Sequence, residues 1–218
     1  MQCKGFLFDL DGTLVDSLPV VERSWCKWGD RFAIDHDEIL SFIHGKQAIT
    51  SIRHFMPGRS EEDIQAEFRY LEQIEATDIE GIVALPGALA LLNTLNEAGI
   101  PWAIVTSGSI PVAHARHRAA GLPMPEVFVT AEQVKHGKPA PTPTCWAPSG
   151  WVCCRGVRGG GRCAGGAPLR TGGRCRTIAV NVPADAPRLD EADLVLSSLE
   201  GLVVERQTDG VVNVRLKA

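Results

Sequence analysis

The stretch that most limits what this chain can become is FDLDGTLVDS, residues 8–17. The apolar run Gly5–Leu10 leads into it and reads as a buried strand opening into a turn. Two carboxylates, Asp9 and Asp11, therefore stand at a strand end, where they repel each other and lose hydration. Something positive must compensate them, and a hard, oxygen-seeking cation such as Mg²⁺ is the simplest candidate. Gly12 permits the tight turn, whose backbone N–H groups can face an anion. A carboxylate beside such a cation can attack phosphorus and form an aspartyl-phosphate. A second carboxylate can protonate the leaving alkoxide, then take a proton from the water that cleaves the intermediate. Two Asp residues alone would read as a strand end with an Asx turn; the full string hhhhDxDGTLhDS (h, apolar) points to the chemistry instead.

The rest of the chain supplies a frame for that edge. From Leu18 to about Ile82, apolar residues such as Leu18, Val21, Trp25 and Trp28, then Ile64, Phe68, Leu71 and Ile74, recur at helical spacing. That region reads as an insert of several short helices. Beyond Pro86-Gly87 the pattern changes. A helix over Ala88–Ala98 closed by Gly99, a strand over Pro101–Val105, a helix over Val112–Ala120 ended by Gly121 and a strand over Val127–Thr130 follow in turn. Thr177–Val182 and Asp193–Leu196 read as further short strands, and Thr208-Asp209-Gly210 as a hairpin turn between Val203–Arg206 and Val211–Leu216. Strand–helix alternation with apolar strands predicts an α/β fold with a doubly wound parallel, Rossmann-like core sheet. Ligands in that architecture sit beyond the carboxyl ends of the strands. Asp9, Asp11, Thr106 and Lys138 all fall at or just past such ends.

On the string at Asp9–Ser17 the chain resembles the haloacid dehalogenase-like phosphatases, over most of its length. The resemblance implies that Asp9 is the nucleophile, Asp11 the general acid/base, and that Mg²⁺ is held by the Asp9 side chain and the Asp11 carbonyl. Dehalogenases of the superfamily lack the second Asp, so Asp11 favours phosphate chemistry. The helical insert looks like the small cap of the β-phosphoglucomutase-like branch, giving a core of residues 1–16 and 84–218 and a cap of 17–83. The stretch SFIHGKQAITSIRHF looks closest to bacterial sugar phosphatases acting on hexose and hexitol phosphates.

Further motifs match residue by residue. Thr106 in AIVTSGS is similar to the family's second motif, its hydroxyl and the Ser107 N–H holding phosphate oxygens; an ordinary helix cap is the alternative. Lys138 in HGKPAP matches the third, neutralising Asp9 and the phosphoryl group; a surface Lys in a Pro-rich loop is the alternative. With Asp11 and Gly12, the cap residues His44, Gly45 and Lys46 complete the expected substrate contacts, although a solvated helix terminus explains those three nearly as well. His114, Arg116, His117 and Arg118, in HARHR, read as a solvated helix face. Trp25, Trp28 and Phe32 read as cap core rather than a sugar-stacking platform. The expected enzyme is a Mg²⁺-dependent phosphomonoesterase for small sugar or sugar-alcohol phosphates; a phosphomutase shares these motifs.

Bulk properties narrow the partners. A formal net charge of −4 gives no general attraction to nucleic acid or anionic membranes. No apolar run approaches the roughly 20 residues of a membrane span. The start MQCKGFLFDL lacks a signal-peptide layout, and outside one odd stretch only Cys3 and Cys26 occur, so a cytoplasmic monomer with a small phosphorylated-sugar substrate is expected.

The odd stretch runs from 133 to 184, 52 residues without Asp or Glu, and contains VCCRGVRGGGRC. The resembled family needs a fourth motif here, an apolar strand ending in one or two acids, one of which binds Mg²⁺. Cys153 and Cys154 are adjacent, and Cys145, Cys163 and Cys175 lack the paired spacing of a structural zinc site. A Gly/Arg loop could touch phosphates but has no interleaved aromatics. A Cys-rich zinc-binding protein on a non-catalytic phosphatase scaffold is the alternative from another functional class. The genetic code offers a third explanation. VRGGGRCA, written in GC-rich codons and read from its second nucleotide, becomes CVVEDAA, an apolar strand ending in Glu-Asp. CWAPSGW read from its third nucleotide becomes LGAERL, a helical segment. Residues of about 142–175 thus read as a frameshifted segment, aberrant and poorly folded, with the frame restored before Arg176-Thr177-Ile178. Nine glycines between 150 and 173 can bury little apolar surface. A phosphate-release assay with Mg²⁺ and hexose phosphates is expected to find the chain as written close to inactive and a frame-restored version active. Full turnover by the former would refute the frameshift's functional consequence.

Overall fold

The computed structural model describes residues 1–44, 46–133, 151–155, 175–184 and 189–217. A six-stranded sheet runs in spatial order Val127–Val129 (β6), Trp102–Val105 (β5), Phe6–Phe8 (β2), Trp151–Arg155 (β7), Cys175–Val180 (β8) and Leu194–Leu196 (β9). The expected parallel core is present. β5 pairs parallel with both β2 and β6, and β9 parallel with β8. Ala88–Glu97 (α5) and Ile110–Ala119 (α6) are the helices flanking β5 in sequence. Leu91, Leu92 and Leu95 of α5 bury against Phe6, Phe8 and Ile104 in the main core. The apolar period that predicted these elements is therefore the face they bury, and observed bounds lie within about two residues of the expected ones.

One strand departs from the expected pattern. The acid-free stretch reads as poorly folded, yet Trp151–Arg155 within it forms a strand in the place beside β2. It runs antiparallel to both β2 and β8, with Phe6 opposite Cys154 and Phe8 opposite Val152. The physical reason is that a gap there would leave two rows of backbone donors and acceptors buried and unmade. Val152, Cys153 and Cys154 are apolar enough to fill it, and all three are buried. Direction matters for the site. With Val152 opposite Phe8, the carboxyl end of β7 lies at the sheet edge away from Asp9.

The helical insert leaves the core through Val15–Asp16 (β3) and returns through Val83–Ala84 (β4), which pair antiparallel. Between them lie Leu18–Asp30 (α1), His36–Ile43 (α2), Ala48–Phe55 (α3) and Glu61–Thr77 (α4). The insert has its own core around Trp25, Trp28, Ile39, Ile52 and Leu71. Trp28, fully buried, meets Trp25 edge-to-face and Phe32 at a tilt, and donates its indole N–H to Glu67 at 3.1 Å. Trp28 is core of the insert, as the spacing suggested, whereas Trp25, also buried, borders the cavity between insert and core as well. Capping matches sequence too: Asp35 and Ser60 accept from the backbone of Glu38 and Asp63 at the starts of α2 and α4.

A three-stranded antiparallel sheet closes the chain: Gln2–Cys3 (β1), Val212–Leu216 (β11) and Leu202–Arg206 (β10), in that order. The hairpin expected at Thr208-Asp209-Gly210 joins β10 to β11, with Gly210 at φ +78°. β1, two residues long, offers no period to read and was not anticipated.

Gly87 starts α5 at φ +83°, and a Cβ there would stand 2.3 Å from the Glu200 backbone nitrogen. Gly87→Ala is expected to destabilise the chain by about 2–4 kcal/mol, from left-handed strain and backbone clash together. Urea unfolding would measure this; a loss below about 0.5 kcal/mol would show that the loop yields.

Candidate active site

β2 ends at Phe8, so Asp9 leaves the sheet edge as the strand stops. Its environment follows from the turn: the amides of Leu14 and Val15 both bond back to the Leu10 carbonyl, and Gly12, at φ +74°, donates to Val15. This tight reversal keeps Asp9 almost wholly buried, 5% exposed, while Asp11 opens towards a cavity of about 770 Å³. The cavity lies between core and insert. Asp9, Asp11, Gly12, Thr106 and Ser107 border it from the core, His44 and Lys46 from the insert. The structure thus brings seven of the nine anticipated site residues to one space. The other two, Gly45 and Lys138, lie outside the described residues.

Asp11 has partners on two elements. Its Oδ1 accepts from the Ser17 hydroxyl at 2.7 Å and from Arg116 Nη1 at 2.9 Å. Ser17 sits at the N-cap of α1 but does not cap it; its hydroxyl is turned to Asp11 instead. Thr106 Oγ1 stands 3.5 Å from Asp11 Oδ2, at the limit of a hydrogen bond, and accepts from the Gly108 amide at 3.0 Å. Thr106 is buried where β5 gives way to the loop before α6. Ser107, Gly108 and Ser109 continue along the cavity wall to the N-terminus of α6. That placement suits a phosphate: hydroxyls and backbone amides next to a helix start favour an anion.

The insert's contribution differs from expectation in orientation. His44 borders the cavity with its Nε2 3.7 Å from Glu22. Lys46 also borders it, but its ammonium lies 3.9 Å from the centre of the Phe42 ring and donates to the Phe42 carbonyl. In this arrangement the cation rests on its own helix end rather than in the middle of the cavity.

Arg116 corrects the reading of HARHR as a solvated face. Arg116 and His117 are buried, 4% exposed each, while Arg118 is exposed. Residues Val112, Ala113, Arg116 and His117 form one side of α6, and that side is the inward one. His117 packs on Phe128 and bonds to the Pro123 carbonyl, a core role. Arg116 bridges two units: Nη1 to Asp11, and Nη2 to Glu75 Oε1 of α4 at 3.1 Å. Burial disfavours the guanidinium's charge, but Asp11 and Glu75 more than offset that and hold its pKa above the ordinary value. Burial pushes the Glu75 carboxyl up, with Arg116 pulling the other way. Glu75 and Ser17 were not singled out from sequence, and Arg116 was read there only as part of a solvated helix face. The available signal was spacing: Phe68, Leu71, Glu72 and Glu75 share a helix face, as do Val112 and Arg116.

The donor set suits a hard cation. Asp9 offers a carboxylate and Asp11 a backbone carbonyl at the same strand end, and Mg²⁺ ordinarily takes one or two protein oxygens, several waters and substrate phosphate. Among the described residues no three His, Cys, Asp or Glu side chains are grouped to hold a metal ion. No helix there is long and apolar enough to cross a membrane.

Comparison with known proteins agrees with this architecture. Residues 3–144 match the family model of haloacid dehalogenase-like hydrolases, and the chain belongs to that family. It is 60% identical over 222 aligned positions to hexitol phosphatase A of Escherichia coli strain K12, across 97% of this chain and 99% of that protein. It is 33% identical to glycerol-1-phosphate phosphohydrolase 2 of Saccharomyces cerevisiae, across 63% of this chain and 55% of that one. Among solved structures, a hydrolase from Pseudomonas syringae superposes with a TM-score of 0.55 at 30% identity, across 63% of this chain and 66% of that one.

Arg116→Met would leave Glu75 buried and uncompensated, with an expected loss of about 3–5 kcal/mol at pH 7. Because burial raises the folded-state pKa of Glu75, protonation favours the folded form, so the deficit is smallest below the ordinary carboxylate pKa and grows as pH rises through the raised value. Unfolding at pH 4 and pH 7 would test it; an equal deficit at both would exclude Glu75 as the cause.

Proposed function

We propose that this chain is a Mg²⁺-dependent phosphomonoesterase that hydrolyses small sugar or sugar-alcohol phosphates through an aspartyl-phosphate, working as a monomer in the cytoplasm. The observation that carries the reading is Asp9: a buried carboxylate at the end of β2, bordering a cavity shared with Asp11, Thr106 and the insert. Similarity along nearly its whole length to a hexitol phosphatase, and along part of it to a glycerol-1-phosphate phosphohydrolase, supports the substrate class.

In this reading the Asp9 carboxylate attacks phosphorus while the ester P–O bond breaks, and the departing alkoxide takes the proton of the Asp11 carboxyl. Asp11, now a carboxylate, removes a proton from water, whose oxygen attacks the phosphorus and frees Asp9. The Thr106 hydroxyl and Ser107 amide hold phosphate oxygens, and Lys138 neutralises them. Arg116 and Ser17 fix the rotamer of Asp11 so that it faces the leaving oxygen. Mg²⁺, held by the Asp9 side chain and the Asp11 carbonyl, supplies positive charge to the reacting phosphoryl oxygens when bound. The insert excludes bulk water from the cavity.

Residues 142–175 enter this proposal as an out-of-frame segment that replaces the family's acidic fourth motif. Two observations support it. The match to the family model ends at residue 144. The strand in the adjacent place, β7, is the one strand of the described sheet that runs opposite to its neighbours.

In a frame-restored chain, phosphate release from hexitol and hexose phosphates should require Mg²⁺ and stop with EDTA. Asp9→Asn should lower it by at least about a thousandfold. Turnover surviving that substitution would overturn the mechanism, and interconversion of glucose phosphates without phosphate release would mark a mutase instead.

A further inference from the structure

Glu75 presents a problem that the mechanism above does not solve. It is a carboxylate, 8% exposed, carried on α4 of the insert and bordering the cavity in which an anionic substrate is to bind. A negative charge there opposes phosphate binding by simple repulsion. Asp9 and Asp11 already add two carboxylates to the same space, and Glu72 borders it as well. Nor does the pair with Arg116 explain Glu75 as a stabilising contact. Two charges taken from water gain little net stability, and the Arg116 Nε–H lies buried without an acceptor among the described residues.

The geometry divides the carboxylate in two. Oε1 takes Arg116 Nη2 at 3.1 Å, whereas Oε2 has no hydrogen-bond partner among the described residues. Arg116 spends its other terminal nitrogen on Asp11 Oδ1, so one planar guanidinium fixes the acid/base group and Glu75 at once. Thr106 and Ser107 border the cavity from the core, Glu75 from the insert opposite α6. An acceptor held on the insert, on a residue that borders the cavity, and unsuited to phosphate calls for donors that carry no negative charge. The hydroxyl groups of a sugar or sugar alcohol are such donors.

Resting on the phosphatase reading, we infer that Glu75 is a specificity-determining residue: held by Arg116, it accepts hydrogen bonds from hydroxyl groups of the substrate's sugar part while the phosphate lies at Asp9 and Thr106. The neutral part of the substrate thereby offsets the burial of Glu75, and the insert recognises a polyhydroxylated leaving group rather than phosphate itself. Because the same guanidinium holds Asp11, an occupied Glu75 and a correctly placed acid/base group belong to one closed arrangement.

Binding separates this from catalysis. In the Asp9→Asn chain, which does not turn substrate over, titration calorimetry would compare a hexitol 6-phosphate with inorganic phosphate. The hexitol phosphate is expected to bind at least about tenfold more tightly than phosphate, the value of one or two hydrogen bonds to a charged group. Adding Glu75→Gln should cut that advantage to within about threefold while phosphate affinity stays level or rises as a repelling charge is lost. Glu75→Asp, shorter by one methylene, should give an intermediate advantage, and circular dichroism melts would establish that each variant is folded. An advantage that survives Glu75→Gln would overturn the assignment, as would parallel loss of both affinities, which marks a structural role. Failure of the Asp9→Asn parent to bind either ligand would overturn the phosphatase reading itself, and this inference with it.

Discussion

Negative charge concentrated at the end of one buried strand governs the rest of the molecule. Asp9 and Asp11 are two residues apart on a chain that has just left the sheet, and a turn built on Gly12 holds them there. Asp9 is almost wholly buried, and Asp11 opens towards the cavity between core and insert. Among the described residues Asp11 is compensated from two directions: the Ser17 hydroxyl on the chain that enters the insert and the Arg116 guanidinium from α6. Arg116 also pairs with Glu75 of the insert. The contact between core and insert is thus partly electrostatic, and it runs through the group assigned to proton transfer.

The sheet shows a second constraint with a different outcome. A place beside β2 must be filled, because buried backbone groups without partners are more costly than an imperfect strand. VCCR fills it in the reversed direction. Hydrogen-bonding and burial needs are met by either direction, but chemistry is not. A strand parallel to β2 would deliver its following residues to the edge where Asp9 lies, whereas β7 points its carboxyl end away from that edge. Fold and catalysis thus place unequal demands on one segment, and the fold's demand is the easier to satisfy.

Some of the architecture was legible in the sequence because the relevant signals are local. The strand into Asp9, the helical character of the insert, the helices after Pro86 and the Thr208-Asp209-Gly210 hairpin all follow from short-range period, caps and turn residues. Asp9, Asp11 and Thr106 were legible for the same reason: each ends a strand whose apolar run announces it. Arg116 and Glu75 were not. Their helices carry charge on several sides, and which side faces inward depends on what α4 and α6 pack against. Each residue is meaningless alone; a buried charge acquires a role only beside its counter-charge, and Glu75 is 41 positions from Arg116.

By itself, then, the sequence determined the family of the chain and the placing of two carboxylates at a strand end, because adjacent residues on a strand and turn fix one another's geometry. Tertiary structure alone decided which charges are buried, that Arg116 joins Asp11 to Glu75, and that β7 runs against its neighbours. Those outcomes depend on distances between segments far apart in the chain, and on the cost of leaving a buried charge or backbone group without a partner.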